Sequence, residues 1–119
     1  MRSLIALLAL ALVLGSVAAH ANPVLTPSLK LERGREHFQR GDWQSAIPVL
    51  TELLYPFPQL AGKEQVLEAR IMLGAAHYQT GKRESARDEF TKALEIEPDQ
   101  SLTTRWYSEG AIRLFEDTK

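Results

Sequence analysis

Residues 67–100 read LEARIMLGAAHYQTGKRESARDEFTKALEIEPDQ, and the order of small, aromatic and turn-forming residues in this stretch decides the fold. Leu73-Gly74, His77-Tyr78, Gly81, Ala86, Phe90, Ala93 and Pro98 punctuate it. Apolar and small residues recur three to four apart on either side of Gly81, the spacing of two amphipathic helices joined by a tight turn. Glycine suits the left-handed position just past a helix end, and proline stops the helix that follows.

The same order recurs upstream. A shift of 40 residues lays Gly34 over Gly74, His37 over His77, Phe38 over Tyr78 and Gly41 over Gly81. It also lays Ala46 over Ala86, Leu50 over Phe90, Leu54 over Leu94 and Pro58 over Pro98. A fixed internal period of this kind is the mark of stacked structural repeats. The spacing predicts helices over Leu29 to Arg40, Trp43 to Leu54, about Leu60 to Thr80, and Arg83 to Glu95, with Asp42 as a cap and Pro48 bending the second. No window alternates as a half-buried strand does, so the chain is all-α.

The second copy resembles the tetratricopeptide repeat (TPR), with Arg70 where tryptophan is common and His77 where tyrosine is common. The first copy, residues 27–60, is a degenerate version that keeps Gly34, Gly41, Trp43, Ala46 and Pro58 but has Lys30 and Arg33 at usually apolar positions. The resemblance implies a right-handed α-α superhelix of two helical hairpins plus a C-terminal capping helix. Its structural positions are Gly34, Gly41, Ala46, Leu50, Gly74, Gly81, Ala86, Phe90, Ala93 and Pro98. Gly34 and Gly74 leave no side chain where paired helices approach, so Gly74→Leu is expected to lower the melting temperature more than Ala75→Leu.

The flanks follow from these copies. Residues 22–26 form an extended lead-in, and residues 61–66 an insertion that lengthens the third helix. Residues 101–119 make the capping segment. As one helix, this tail would put Leu102 and Trp106 on a different face from Tyr107, Ala111, Leu114 and Phe115. The expectation is therefore an irregular stretch to about Tyr107, then a helix from Glu109 to Glu116 capped by Ser108. Ala111, Ile112 and Phe115 would lie on the last repeat.

Ahead of all this, Arg2 precedes an unbroken apolar run from Leu4 to Leu14, and Ala19-His20-Ala21 ends it. That is the pattern of a secretory signal peptide over residues 1–21, cut between Ala21 and Asn22. The run is too short to span a membrane. The expected location is the bacterial periplasm or beyond, with no membrane span after cleavage. No cysteine occurs in the chain, which excludes a lipoprotein, disulfides and thiolate-bound metals.

The 119 residues hold 14 Lys+Arg against 15 Asp+Glu, a formal net charge of −1, and offer no basic surplus for nucleic acid. No catalytic motif, phosphate loop or cofactor-binding motif is present. The expected catalytic, cofactor and metal sets are empty, and the chain reads as a non-enzyme. The carboxylates Glu84, Asp88, Glu89, Glu95 and Glu97 read as a solvated helix face supported by ion pairs four residues apart. His37 and His77 take equivalent packing positions, with a metal or small-ligand site involving Tyr78 as the alternative.

The resemblance implies a concave groove lined by the first helix of each hairpin. Its positions here are Leu31, Arg35, Phe38 and Gln39, then Ile71, Met72, Ala75, Tyr78 and Gln79. Family members that clamp a terminal carboxylate use Lys and Asn where this chain has Leu31, Arg35, Glu68 and Met72, so that activity is not implied. The mostly apolar set suits an amphipathic helix or extended apolar segment of another envelope protein. Two alternatives stay open: the chain's own C-terminal segment fills the groove, or a second copy does so in a homodimer.

Overall fold

The computed structural model describes residues 25–119, so the leader and its cleavage point lie outside the described residues. Five helices follow one another: α1 (Pro27–Gln39), α2 (Trp43–Leu54), α3 (Lys63–Gln79), α4 (Arg83–Ile96) and α5 (Glu109–Thr118). Among the described residues there is no strand, and the architecture is an all-α helical repeat.

Local chemistry sets the helix ends. Thr26 accepts a hydrogen bond from the Leu29 amide with Pro27 in the first turn, which starts α1 two residues earlier than expected from Leu29. Asp42 accepts from the Ser45 amide and caps α2, which runs through Pro48 to Leu54 without interruption. The turns at Gly41 and Gly81 are matched, with φ of 74° and 82°. In each, the amide three residues past the helix end reaches back five residues, Asp42 to the His37 carbonyl (2.9 Å) and Lys82 to the His77 carbonyl (2.8 Å). A side chain at either glycine would strain that left-handed backbone.

The hairpins α1–α2 and α3–α4 stack through α2 and α3 around one continuous core. Leu50, Leu53 and Leu54 fill it from α2, Leu73 from α3, Phe90 from α4, and Leu114 and Phe115 from α5, all essentially without solvent contact. Gly34 and Gly74 permit the close approach within each hairpin. A Cβ on Gly34 would stand 2.9 Å from a Leu50 methyl, and one on Gly74 would stand 2.6 Å from the Phe90 ring.

Arg70, the residue that departs from the repeat pattern, is buried at the joint between hairpins. Its Nη1 donates to Glu89 Oε2 at 3.1 Å, and its guanidinium lies 5.2 Å from the centre of the Tyr55 ring. The Tyr55 hydroxyl donates to the other Glu89 oxygen and accepts from Lys92 Nζ at 2.7 Å. That bond, and behind it Glu89, holds the Lys92 ammonium above its ordinary pKa. Arg70, Glu89, Tyr55 and Lys92 thus tie the end of α2 to α3 and α4.

The tail departs from a simple continuation of the stack. Ser108, at the start of α5, meets Gln79 at the end of α3, whereas Thr118 and Lys119 lie beside Thr91, Leu94 and Pro98 at the end of α4. Hence α5 runs in the same general direction as α4, not antiparallel to it as a next repeat helix joined by a short turn would. Reversing direction requires residues 97–108 to travel back along the molecule before α5 can begin. The buried face of α5 is Ala111, Leu114 and Phe115, with Phe115 edge-on to Phe90 at 5.3 Å between ring centres. Ile112, expected in that face, is half-buried instead, because the helix is rotated toward Leu114.

Candidate functional site: a concave groove and its internal strap

The concave face is made by α1 and α3, and residues 97–108 cross it. They start beside the N-terminus of α3, where Glu97 and Gln100 border a cleft of about 710 Å³ with Gly62, Lys63 and Glu64. They then follow α3 past Leu67 and Ile71, with Leu102 half-buried. Tyr107 docks on the Phe38 ring of α1, the ring centres 5.5 Å apart at 50°. Ser108 ends the crossing by accepting a 2.7 Å hydrogen bond from Gln79 Nε2. It also caps α5 by accepting from the Ala111 amide. The strap is irregular throughout, with a turn at residues 104–106.

The groove positions are therefore brought to one face, but most are not free. Leu31, Phe38, Ile71, Met72 and Ala75 are all buried. Of the occupants left open, the tail is the one that lies beside Phe38, Ile71 and Met72. The tail brings Leu102 and Tyr107 against this face, and packing them there removes their apolar surface from water. Ala75, being buried, is also no neutral reference for over-packing at Gly74. Gln39 and Gln79 remain exposed at the rim, Tyr78 and Arg35 half-buried.

The groove's one cation is engaged. Arg35 donates to both Glu68 oxygens, Nη2 at 2.5 Å and Nε at 3.2 Å, a two-pronged pair that joins α1 to α3. Its hydrogen bonds and charge hold the Arg35 pKa above the ordinary value despite partial burial. Tyr107 lies in the same corner, where burial, then the Glu68 charge, pushes its hydroxyl pKa up; Arg35 opposes the shift. A groove so neutralised has no spare cation to clamp a terminal carboxylate.

Sequence patterns pointed to the groove and left the chain's own C-terminal segment open as one of its occupants, without placing the strap's path. Two signals for it exist: the split apolar faces of the tail, and Gly110. A glycine inside a helix costs about 1 kcal/mol relative to alanine, yet a Cβ at Gly110 would stand 2.0 Å from the Tyr78 hydroxyl oxygen. Gly110 is what lets α5 seat on the end of α3.

His37 and His77 occupy matching sites one turn before the paired glycines. Each has a buried Nδ1 without a hydrogen-bond partner. His37 stands 3.4 Å from Asp42, whereas the equivalent neighbour of His77 is Lys82. Among the described residues, no group of three or more His, Asp or Glu side chains is gathered as a metal site. Burial, then the Lys82 charge, holds the His77 pKa below its ordinary value, with Glu89 opposing. The unfolded chain then binds the extra proton, so the His77 contribution to stability is complete above the unfolded pKa of 6.5 and is lost as pH falls through the folded value. Melting temperature measured from pH 7.5 to 5 should fall more steeply for the native chain than for His77→Phe; parallel curves would refute the assignment.

Residues 67–100 match the family model for the tetratricopeptide repeat. The match covers most of α3, all of α4 and the start of the strap, and supports the tetratricopeptide-repeat family. Repeats of that family generally mediate protein–protein interaction and are typically non-catalytic. No curated protein and no solved structure matches the chain significantly. No helix among the described residues is long and apolar enough to cross a membrane.

Proposed function

We propose that this chain is a non-catalytic adaptor exported to the bacterial envelope, which holds a segment of another envelope protein in the α1–α3 groove. One observation carries the proposal: that groove already accommodates an irregular segment, residues 100–107, beside Phe38, Met72 and Ile71. Pockets along such a face select the side chains of a segment laid across it. The leader at residues 1–21 supplies the address.

A homodimer has less support. The exposed positions of α1 include Glu32, Arg33 and Glu36 beside the apolar Leu29, and those of α5 include Arg113, Glu116 and Asp117. Charged outer faces of this kind terminate a repeat array instead of extending it.

A photo-crosslinking residue placed at Gln39 or Gln79, on the rim, is expected to trap the same partner from the native envelope. One at Arg87, on the exposed face of α4, should trap none. The mature chain recovered in that experiment should begin at Asn22. Equal trapping from all three positions would remove the groove from the proposal, and a mature chain retaining Met1 in the cytoplasm would remove the export.

A further inference from the structure

The strap is held to the groove by few directional bonds. Its backbone hydrogen bonds are local: Gln100 to Glu97, and Trp106 and Tyr107 to Thr103. Among the described residues, a single hydrogen bond joins it to α1 or α3, the one between Gln79 and Ser108. Spaces of about 240 Å³ and 60 Å³ remain between the strap and the helices it covers. Trp106, at the lip of both, keeps 46 % of its surface in water, with the Arg105 guanidinium stacked 5.0 Å from its ring. Segments with few buried contacts and mainly local hydrogen bonds open at low free-energy cost. The helices beneath have their own support: Arg35–Glu68 joins α1 to α3, and the Arg70–Glu89 pair joins α3 to α4.

We infer that residues 97–108 are an exchangeable internal ligand, and that the partner segment is a peptide of the same chemistry and irregular course which displaces them. This deepens the adaptor proposal and rests on it. The occupant has an aromatic residue to replace Tyr107 on Phe38, and an aliphatic one five positions earlier to replace Leu102 beside Leu67 and Ile71. Over the stretch that lies on α1 and α3 it is uncharged or singly basic, as residues 100–108 of the strap are with Arg105. Glu64 lines the same wall and disfavours an acidic side chain beside it. A partner must compete with a covalently attached occupant at an effective concentration of order millimolar. The native chain therefore binds such a peptide with its affinity reduced by the small fraction of time the strap is open.

The test uses the full chain and a labelled peptide of residues 97–108 supplied in trans, followed by fluorescence anisotropy. Tyr107→Ala should bind the peptide about tenfold or more tightly than the native chain, because the open fraction rises. Adding Phe38→Ala should abolish that gain, as should alanine at the Tyr107 position of the peptide. Leu102→Ala, on the strap and half-buried beside Leu67 and Ile71, gives a gain in the same direction if Tyr107→Ala fails to fold. Variants with native helical content that bind no better than the native chain would overturn the inference. So would sedimentation at twice the monomer mass, which makes a second copy's strap the occupant. Crosslinking of an envelope partner at Gln39 alongside either negative result would leave the adaptor proposal standing with the strap fixed. Peptide exchange without any trapped partner would instead remove the adaptor and keep the exchange.

Discussion

Replacing Glu89 by alanine is expected to destabilise the fold by about 3–5 kcal/mol, the usual consequence of stripping one partner from a buried ion pair. Glu89 is among the few buried charged residues, and its loss leaves the Arg70 guanidinium enclosed between hairpins with no counter-ion. Lys92 makes matters worse, since its ammonium is anchored on Tyr55 in the same network and a second cation would face Arg70 unopposed. Against a total stability of roughly 5–15 kcal/mol for a domain, this substitution alone should remove a large share. The paired substitution Arg70→Met with Glu89→Leu should recover most of it, because an apolar pair of similar volume avoids the desolvation of two charges. Urea melts of the single and double variants check both. A double variant no more stable than Glu89→Ala would show that Tyr55 and Lys92, not the ion pair, hold the joint.

The second large effect is at Gly74. An added Cβ would meet two Phe90 ring carbons at 2.6 and 2.7 Å and the Ala86 carbonyl oxygen at 3.2 Å. The ring cannot retreat, because its other side is packed edge-on to Phe115. Over-packing of that kind costs about 1–3 kcal/mol for small additions, and more for Gly74→Leu. Gly34 is the internal control. There the nearest atom is a methyl of Leu50 at 2.9 Å, the far end of a rotatable side chain. Alanine also recovers about 1 kcal/mol of helix propensity at either site, so Gly34→Ala should fall near neutral while Gly74→Ala stays clearly destabilising. Thermal melts of the two alanine variants that shift equally would contradict the rigid-ring account.

The contrast between Gly74 and Gly34 also shows how far the sequence could be read. The offset that aligned them correctly marked both as close-approach positions. Whether the opposing atom yields depends on what stands behind Leu50 and Phe90, and Phe115 comes from a segment outside either repeat. Arg70 was legible only as a departure from the pattern. Its explanation required Glu89 and Tyr55, which are 19 and 15 positions away and meet it only when three helices come together.

The helices and their turns were determined by the sequence itself, because their causes are local: apolar residues three to four apart, a cap such as Asp42, and a glycine where the backbone turns left-handed. The tail was different. Its apolar residues demanded burial, and the split between Leu102 and Tyr107 showed that one helix could not bury them all. Hydrophobic burial has no direction, so nothing in the order of residues specified the face they would cover. That choice belonged to the tertiary structure. The seat of Gly110 against Tyr78 places the start of α5 at the far end of α3, and a strap spanning that distance has the α1–α3 groove as its path.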